Sequence, residues 1–174
     1  MSSRDRRFVA AHRGGPLDRQ SHAELARWAA DCAARVLPAF ARHSPDPRPA
    51  KALEVLRAWA AGEVKTGVAM KASLAAHAAA RKATDPAAVA AARAAGQAAG
   101  TAHCADHCMG ALLYALKALA AEGRNAGSEF RRRIAKLPLH LREQVKHGVL
   151  ARSGKMKLPV SAQTKRATVR KPLA

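Results

Sequence analysis

Aromatic side chains make up only 3% of the 174 residues, and Asp and Glu number 12 against 31 Lys and Arg. So few rings exclude a core built on large stacked side chains. Apolar residues reach 49%, but most are alanine, so the interior must rest on many close helix–helix contacts and a few anchors: Phe8, Trp28, Phe40, Trp59, Tyr114 and Phe130. Three cysteines, Cys32, Cys104 and Cys108, cannot all pair, which argues against a disulfide framework and for a reducing compartment. No uncharged apolar run approaches the roughly 20 residues a membrane helix needs, and MSSRDRRFVAAHRGG lacks the apolar stretch of a signal peptide. A cytoplasmic protein without membrane contact is expected. No stretch alternates β-branched and polar residues between turn signals, so strands are not expected. Gly14-Gly15 is too short for a phosphate loop, and no carboxylates stand at a catalytic spacing. No catalytic residue, cofactor or metal is therefore assigned.

What remains is an all-α pattern, because alanine loses no side-chain entropy in a helix. Ser21-x-x-Glu24 reads as a capping box opening a first helix, with Leu25, Trp28, Cys32, Val36 and Phe40 along one stripe and Pro38 ending or kinking it. A second helix runs over about 49–61, with Leu53, Leu56 and Trp59 inward. A third spans about 63–82, with Val64, Val68, Leu74 or Ala75, and Ala78 as its inner stripe. Asp85-Pro86 supplies an N-cap and first-turn proline for a fourth. That helix reads as continuous to about residue 121, Ala-rich and central. Gly96 and Gly100, four apart, allow close backbone approach, and Gly123 closes it. Ser128 caps a short helix broken by Leu137-Pro138, and a last one covers about 139–150. The expectation is a single-domain bundle of five to six helices over residues 1–151, then a disordered basic tail, 152–174.

Charge is uneven. Of the 31 basic residues 14 fall after residue 123, together with only two of the 12 acidic ones. Arg131, Arg132 and Arg133 with Lys155, Lys157, Lys165, Arg166, Arg170 and Lys171 form the basis for a nonspecific, backbone-directed nucleic-acid contact. No zinc finger, interleaved aromatics or helix-turn-helix adds base readout.

Two clusters are candidate sites. His103 and His107 are four apart, as are Cys104 and Cys108, so on one helix each pair shares a face. The metalloprotease signature would need Glu at position 104 and is excluded. A generic metal site would need His77, with Asp106 or Glu63 behind it, so packed and hydrogen-bonded histidines are the simpler reading. The second cluster is Glu54, Arg57, Trp59 and Glu63, read chiefly as a core tryptophan beside surface ion pairs worth little each.

Taken in order, several stretches resemble a known family. They are Arg4-Asp5-x-Arg7-Phe8-Val9, His12-Arg13-Gly14-Gly15-Pro16-Leu17, His22-x-x-Leu25-Ala26-x-Trp28-Ala29, Arg48-Pro49 through Trp59 to Gly62-Glu63, Ala76-His77-x-Ala79-Ala80-Arg81, Ala92-Arg93-Ala94-Ala95-Gly96, Thr101-Ala102-His103 with Asp106-His107, Tyr114-Ala115-x-Lys117-Ala118, and Leu137-Pro138 before Arg142-Glu143. Together they resemble the immunity-five-like proteins of bacterial polymorphic toxin systems, over about residues 4–148. The resemblance implies an all-α cytoplasmic protein that binds and neutralises a cognate toxin protein. Its pattern carries the His77, His103 and Asp106-His107 positions, which implies a shared polar pocket there, with Arg81 as a further pocket candidate. The family tends to carry histidine at Gln97 and small apolar residues at Cys104 and Cys108, which weakens a cysteine-based site. The lysine-rich end lies outside the resemblance.

Overall fold

The computed structural model describes residues 5–158 and 160. They are all-α, with an isolated bridge between Ala10 and Leu17 holding the N-terminal segment closed. Helix α1 (Arg19–Ala34) starts earlier than the capping box implies, because Asp18 takes the cap: its carboxylate accepts the Ser21 N–H at 2.8 Å and the Ser21 hydroxyl at 2.8 Å. Pro38 does more than kink the first helix. It sits in the first turn of a separate α2 (Leu37–Ala41), where its missing N–H breaks no helical bond. α3 (Arg48–Ala61) ends at Gly62 in the left-handed conformation. α4 (Thr66–Lys82) leads into α5 (Pro86–Gly100), which Asp85 caps through the Ala88 N–H at 2.8 Å.

The fourth helix expected from sequence is not continuous. It folds back as an αα-hairpin, α5 and α6 (His107–Ala121), turning over residues 101–106. Tight i→i+3 bonds take over at the turn, from Thr101 N–H to Ala98 and from His103 N–H to Gly100. The Thr101 carbonyl is then satisfied from outside, by the ring of His22 at 2.6 Å. α7 (Ala126–Ala135), capped by Asn125 rather than Ser128, and α8 (Leu139–Ser153) complete eight helices among the described residues. The two beyond the expected five to six come from Pro38 and from this break.

α4, α5 and α6 form one antiparallel layer, and α1 to α3 lie across α5 behind it, with α7 and α8 against α6. Apart from Pro86, Val89, Arg93 and Gln97, α5 is buried all round, on alanine and glycine. Large side chains pack around it: Leu25, Leu56, Met109, Leu112 and Leu116. α4 corrects the stripe read from sequence. Its inner face is Ala69, Ser73, Ala76, Ala79 and Ala80, while Val68 and Leu74 point to solvent. Leucine does not fit where two alanine-faced backbones meet this closely, so size decides which face turns inward. α8 continues across the expected boundary at 151, and Leu158 and Val160 are buried. Lys165, Arg166, Arg170 and Lys171 lie outside the described residues.

Ala95 is fully buried in α5. Replacing it by Leu is expected to destabilise the fold by about 3 kcal/mol through overpacking, read as a lower midpoint in urea unfolding; an unchanged midpoint would mean the layer has slack.

Candidate functional site

The hairpin sets a register that builds one face. Gly100 lies opposite His107, Gln97 opposite Gly110, and Arg93 opposite Tyr114. From the other flank, α4 brings His77 onto Gly96, where a Cβ would sit 2.7 Å from the ring, and the Ser73 hydroxyl donates to the Gly96 carbonyl at 2.7 Å. The face is thus a valley. Its floor is the only line of α5 that reaches solvent beyond Pro86, namely Val89, Arg93 and Gln97. Its walls are His77 and Arg81 on α4 and His107, Gly110, Tyr114 and Lys117 on α6.

Of the expected pocket, His103 and His107 come together with ring centroids 5.1 Å apart. They do so through the turn, since His103 precedes α6 and only His107 belongs to it. The His107 Nδ1–H donates to the Gln97 amide oxygen at 2.7 Å. Gln97, where the resembling family tends to have histidine, is therefore part of the site. Asp106 accepts the Cys104 thiol at 2.9 Å and faces Arg152 at 3.8 Å. Cys108 is wholly buried, and burial pushes its thiol well above the ordinary range. Burial, then the charges of Arg93 and Arg81, lower the pKa of His77. No group of three or more His, Cys, Asp or Glu among the described residues could hold a metal ion.

The second cluster is dispersed. Trp59 is in the core, its indole N–H donating to Thr66 at 3.0 Å, the Arg19 guanidinium 4.4 Å over its ring and His22 edge-on at 4.9 Å. Glu54 pairs with Lys51 and Arg57 with Asp31, each at 2.9 Å on the surface, and Glu63 is exposed. Within the arginine run, Glu129 holds Arg133 at 2.6 Å and Arg132 at 3.0 Å. Arg133 is buried and its carbonyl accepts the Trp28 indole N–H, so it ties α7 to α1. Arg131, Lys155 and Lys157 are exposed.

One further grouping was not legible in the sequence. The Ser21 hydroxyl lies 3.1 Å from His140 Nε2, which is 3.6 Å from Glu24. The hydroxyl is spent on Asp18 and the carboxylate meets the same ring nitrogen as the serine, so no carboxylate orients the far nitrogen as a nucleophilic triad requires.

Met70 and Leu74, 42% and 68% exposed, extend the α4 wall. With His77 and Arg81 they fall within an arc of roughly 60° at helical spacing. Sequence reading missed both as surface groups, although a helix whose other positions are alanine has room for its large residues only outside.

These features define a small helical bundle with a cationic, histidine-bearing face edged by exposed apolar side chains, and no helix among the described residues is long and apolar enough to cross a membrane. The family model described as Imm-5 like putative immunity protein matches residues 15–140, and the chain belongs to that family. No curated protein and no solved structure matches it.

Two predictions follow from the side-chain environments. In Gly96→Ala the new methyl displaces the His77 ring toward water, so its pKa rises toward the ordinary 6.5, checked by NMR titration of the ring; an unmoved pKa would contradict the packing. Stability should fall in two stages on acidification. Burial holds His22 and His77 below their ordinary 6.5, so stability drops first as the unfolded chain takes up protons below that pH. Burial opposes ionisation of Glu129, but Arg133 and Arg132 outweigh it and hold the carboxyl below its ordinary 4.5; the second loss begins there. Denaturant titrations against pH check both stages, and Glu129→Gln should flatten the second.

Proposed function

We propose that the chain is an immunity protein that binds a cognate toxin protein in the cytoplasm and neutralises it without catalysis, using the α4–α5–α6 face. Membership of the family supports the role. The observation that carries the face is the exposure of Met70 and Leu74 beside a row of cations and histidines. An apolar anchor next to arginine is the usual make-up of a binding hot spot. A chain of net charge +19 also meets an acidic partner faster than a neutral one.

The alternative, nonspecific nucleic-acid association through the basic C-terminal region, has less to use than its sequence offers, because Glu129 engages Arg132 and Arg133. Capture from the native bacterium at low and moderately high salt, with the full chain as bait, separates the two. The expected result is one protein partner, bound one-to-one through the salt step. Expressed in a naive bacterial host, that partner should arrest growth, and the chain should relieve the arrest. Leu74→Asp should weaken the complex at least about tenfold, the loss of a single hot-spot residue. Nucleic acid alone, released by salt, would overturn the role; undiminished protection by a Met70→Asp, Leu74→Asp double variant would overturn the face.

A further inference from the structure

At the end of the valley away from the histidines, α5 and α6 border a cleft of about 490 Å³ lined by Pro86, Val89, Ala90, Arg93, Tyr114 and Lys117. Its chemistry is lopsided. Two cations converge on it, and no acidic side chain among the described residues lines it. The acids nearest in sequence are engaged elsewhere: Asp85 caps α5 through the Ala88 N–H and faces His43 at 3.7 Å, while Glu122 pairs with Arg42 and Arg124. Arg93 and Lys117 form no ion pair among the described residues, and the Arg93 guanidinium lies 6.0 Å from the centroid of the Tyr114 ring. Arg93 is half-buried and rises from the most tightly packed helix of the fold, so its position costs little further ordering. Tyr114 was expected in the core as an anchor. It packs against the core from the edge and is partly exposed at this cleft, whereas the other large rings are buried.

We infer that this cleft receives an acidic side chain of the protein partner, its carboxylate between Arg93 and Lys117 and its aliphatic stem against Val89 and the Tyr114 ring. The inference rests on the proposed face and names the chemistry of its partner. A planar guanidinium grips a carboxylate through two parallel N–H···O bonds, and a lysine adds a point charge. The Tyr114 ring and Val89 offer apolar cover suited to the methylenes of Glu. A nucleic-acid backbone, with regularly spaced phosphates and no such stem, would use the two cations and leave the apolar wall idle. The same juxtaposition explains why these two cations form no ion pair among the described residues: a carboxylate supplied from outside completes the site.

The test uses the full chain, ¹⁵N-labelled, titrated in separate arms with an acetylated, amidated pentaglutamate peptide, the matching pentaglutamine peptide and a random-sequence DNA duplex. The pentaglutamate is expected to move the Arg93 side-chain N–H, the Tyr114 ring and Lys117 signals saturably, and the pentaglutamine to leave them still. Arg93→Gln, which adds no bulk at a half-exposed position, should weaken that binding about tenfold, as for one lost charge-assisted contact. Lys117→Gln, on the exposed edge, should weaken it by less and serves if Arg93→Gln unfolds. Shifts confined to Arg131, Lys155 or Lys157, equal response to both peptides, or DNA moving the cleft signals at lower concentration than the peptide would each overturn the inference. If the captured partner is neutralised while the cleft ignores pentaglutamate, this inference alone falls. If the cleft binds pentaglutamate but no toxin is neutralised, the immunity reading falls and the cleft remains.

Discussion

Everything in this fold is arranged around a helix with almost no side chains. α5 buries Ala87, Ala88, Ala90, Ala91, Ala92, Ala94, Ala95, Ala98 and Ala99 with Gly96 and Gly100, so neighbours reach its backbone on nearly every side. Close packing at crystal-like density then leaves no freedom in what those neighbours carry. α4 must face it with alanine and serine, and its leucine and methionine must turn outward. α6 must pass it at Gly110, where any Cβ would collide with the Gln97 amide. The larger apolar groups, Leu25, Leu56, Leu112 and Leu116, fill the space one layer further out.

The same constraint makes the surface. A helix that contributes only Val89, Arg93 and Gln97 beyond its first residue to solvent gives a low floor between two taller walls. Each polar side chain on that floor is held by its root in the core and by its neighbours: Gln97 by His107, Arg93 beside Tyr114. The turn that brings the α6 wall into register is tied in turn to the back layer. Arg19 stacks on Trp59, Trp59 meets His22 edge-on, and His22 donates to the carbonyl of Thr101. The carbonyl can only accept, so the ring carries a proton on Nε2, and burial lowers its pKa below the ordinary 6.5. Protonating His22 would set a charge inside the joint between the two layers, which is why the fold is coupled to acid at a position remote from the candidate face.

Composition and capping signals sufficed for the fold class and most helix boundaries. Asp85-Pro86, Gly62, Gly123 and Leu137-Pro138 act locally, through backbone geometry, and local signals survive in a sequence. The break at 101–106 was not legible because nothing in Thr101-Ala102-His103 forbids a helix. What ends it is the long-range bond from His22 and the gain from folding α6 back onto α5. The α4 face was misread for a related reason: hydrophobicity ranks leucine as inner, while the geometry of an alanine-on-alanine contact ranks it as outer. The nearness of His103 to His107 was expected by the wrong route. Helical i, i+4 spacing was assumed, whereas a turn supplies the proximity. The arginine run was read as a charge reserve although Glu129 stands three and four residues before Arg132 and Arg133, because sequence cannot say that this carboxylate is buried against them.

That last contrast bears on how a strongly basic chain selects a partner. Net charge is a property of the whole surface and attracts any polyanion, with a reach of about 10 Å at moderate salt. Selection needs cations that are fixed and cannot be satisfied internally. Arg132 and Arg133 fail that condition, since Glu129 already holds them. Arg57 and Arg42 fail it through Asp31 and Glu122. Arg93, which forms no ion pair among the described residues, meets it, rooted in a helix that cannot shift without disturbing the layers packed on it, and lies on the same proposed face as Leu74. A partner that satisfies both the fixed charge and the exposed leucine gains from burying apolar area and from pairing a cation already ordered. A polyanion without apolar surface gains only the charge term, which salt removes. On the proposed reading of this face, the packing of α5 is what would favour a protein over a polyelectrolyte, even though the overall charge would serve either.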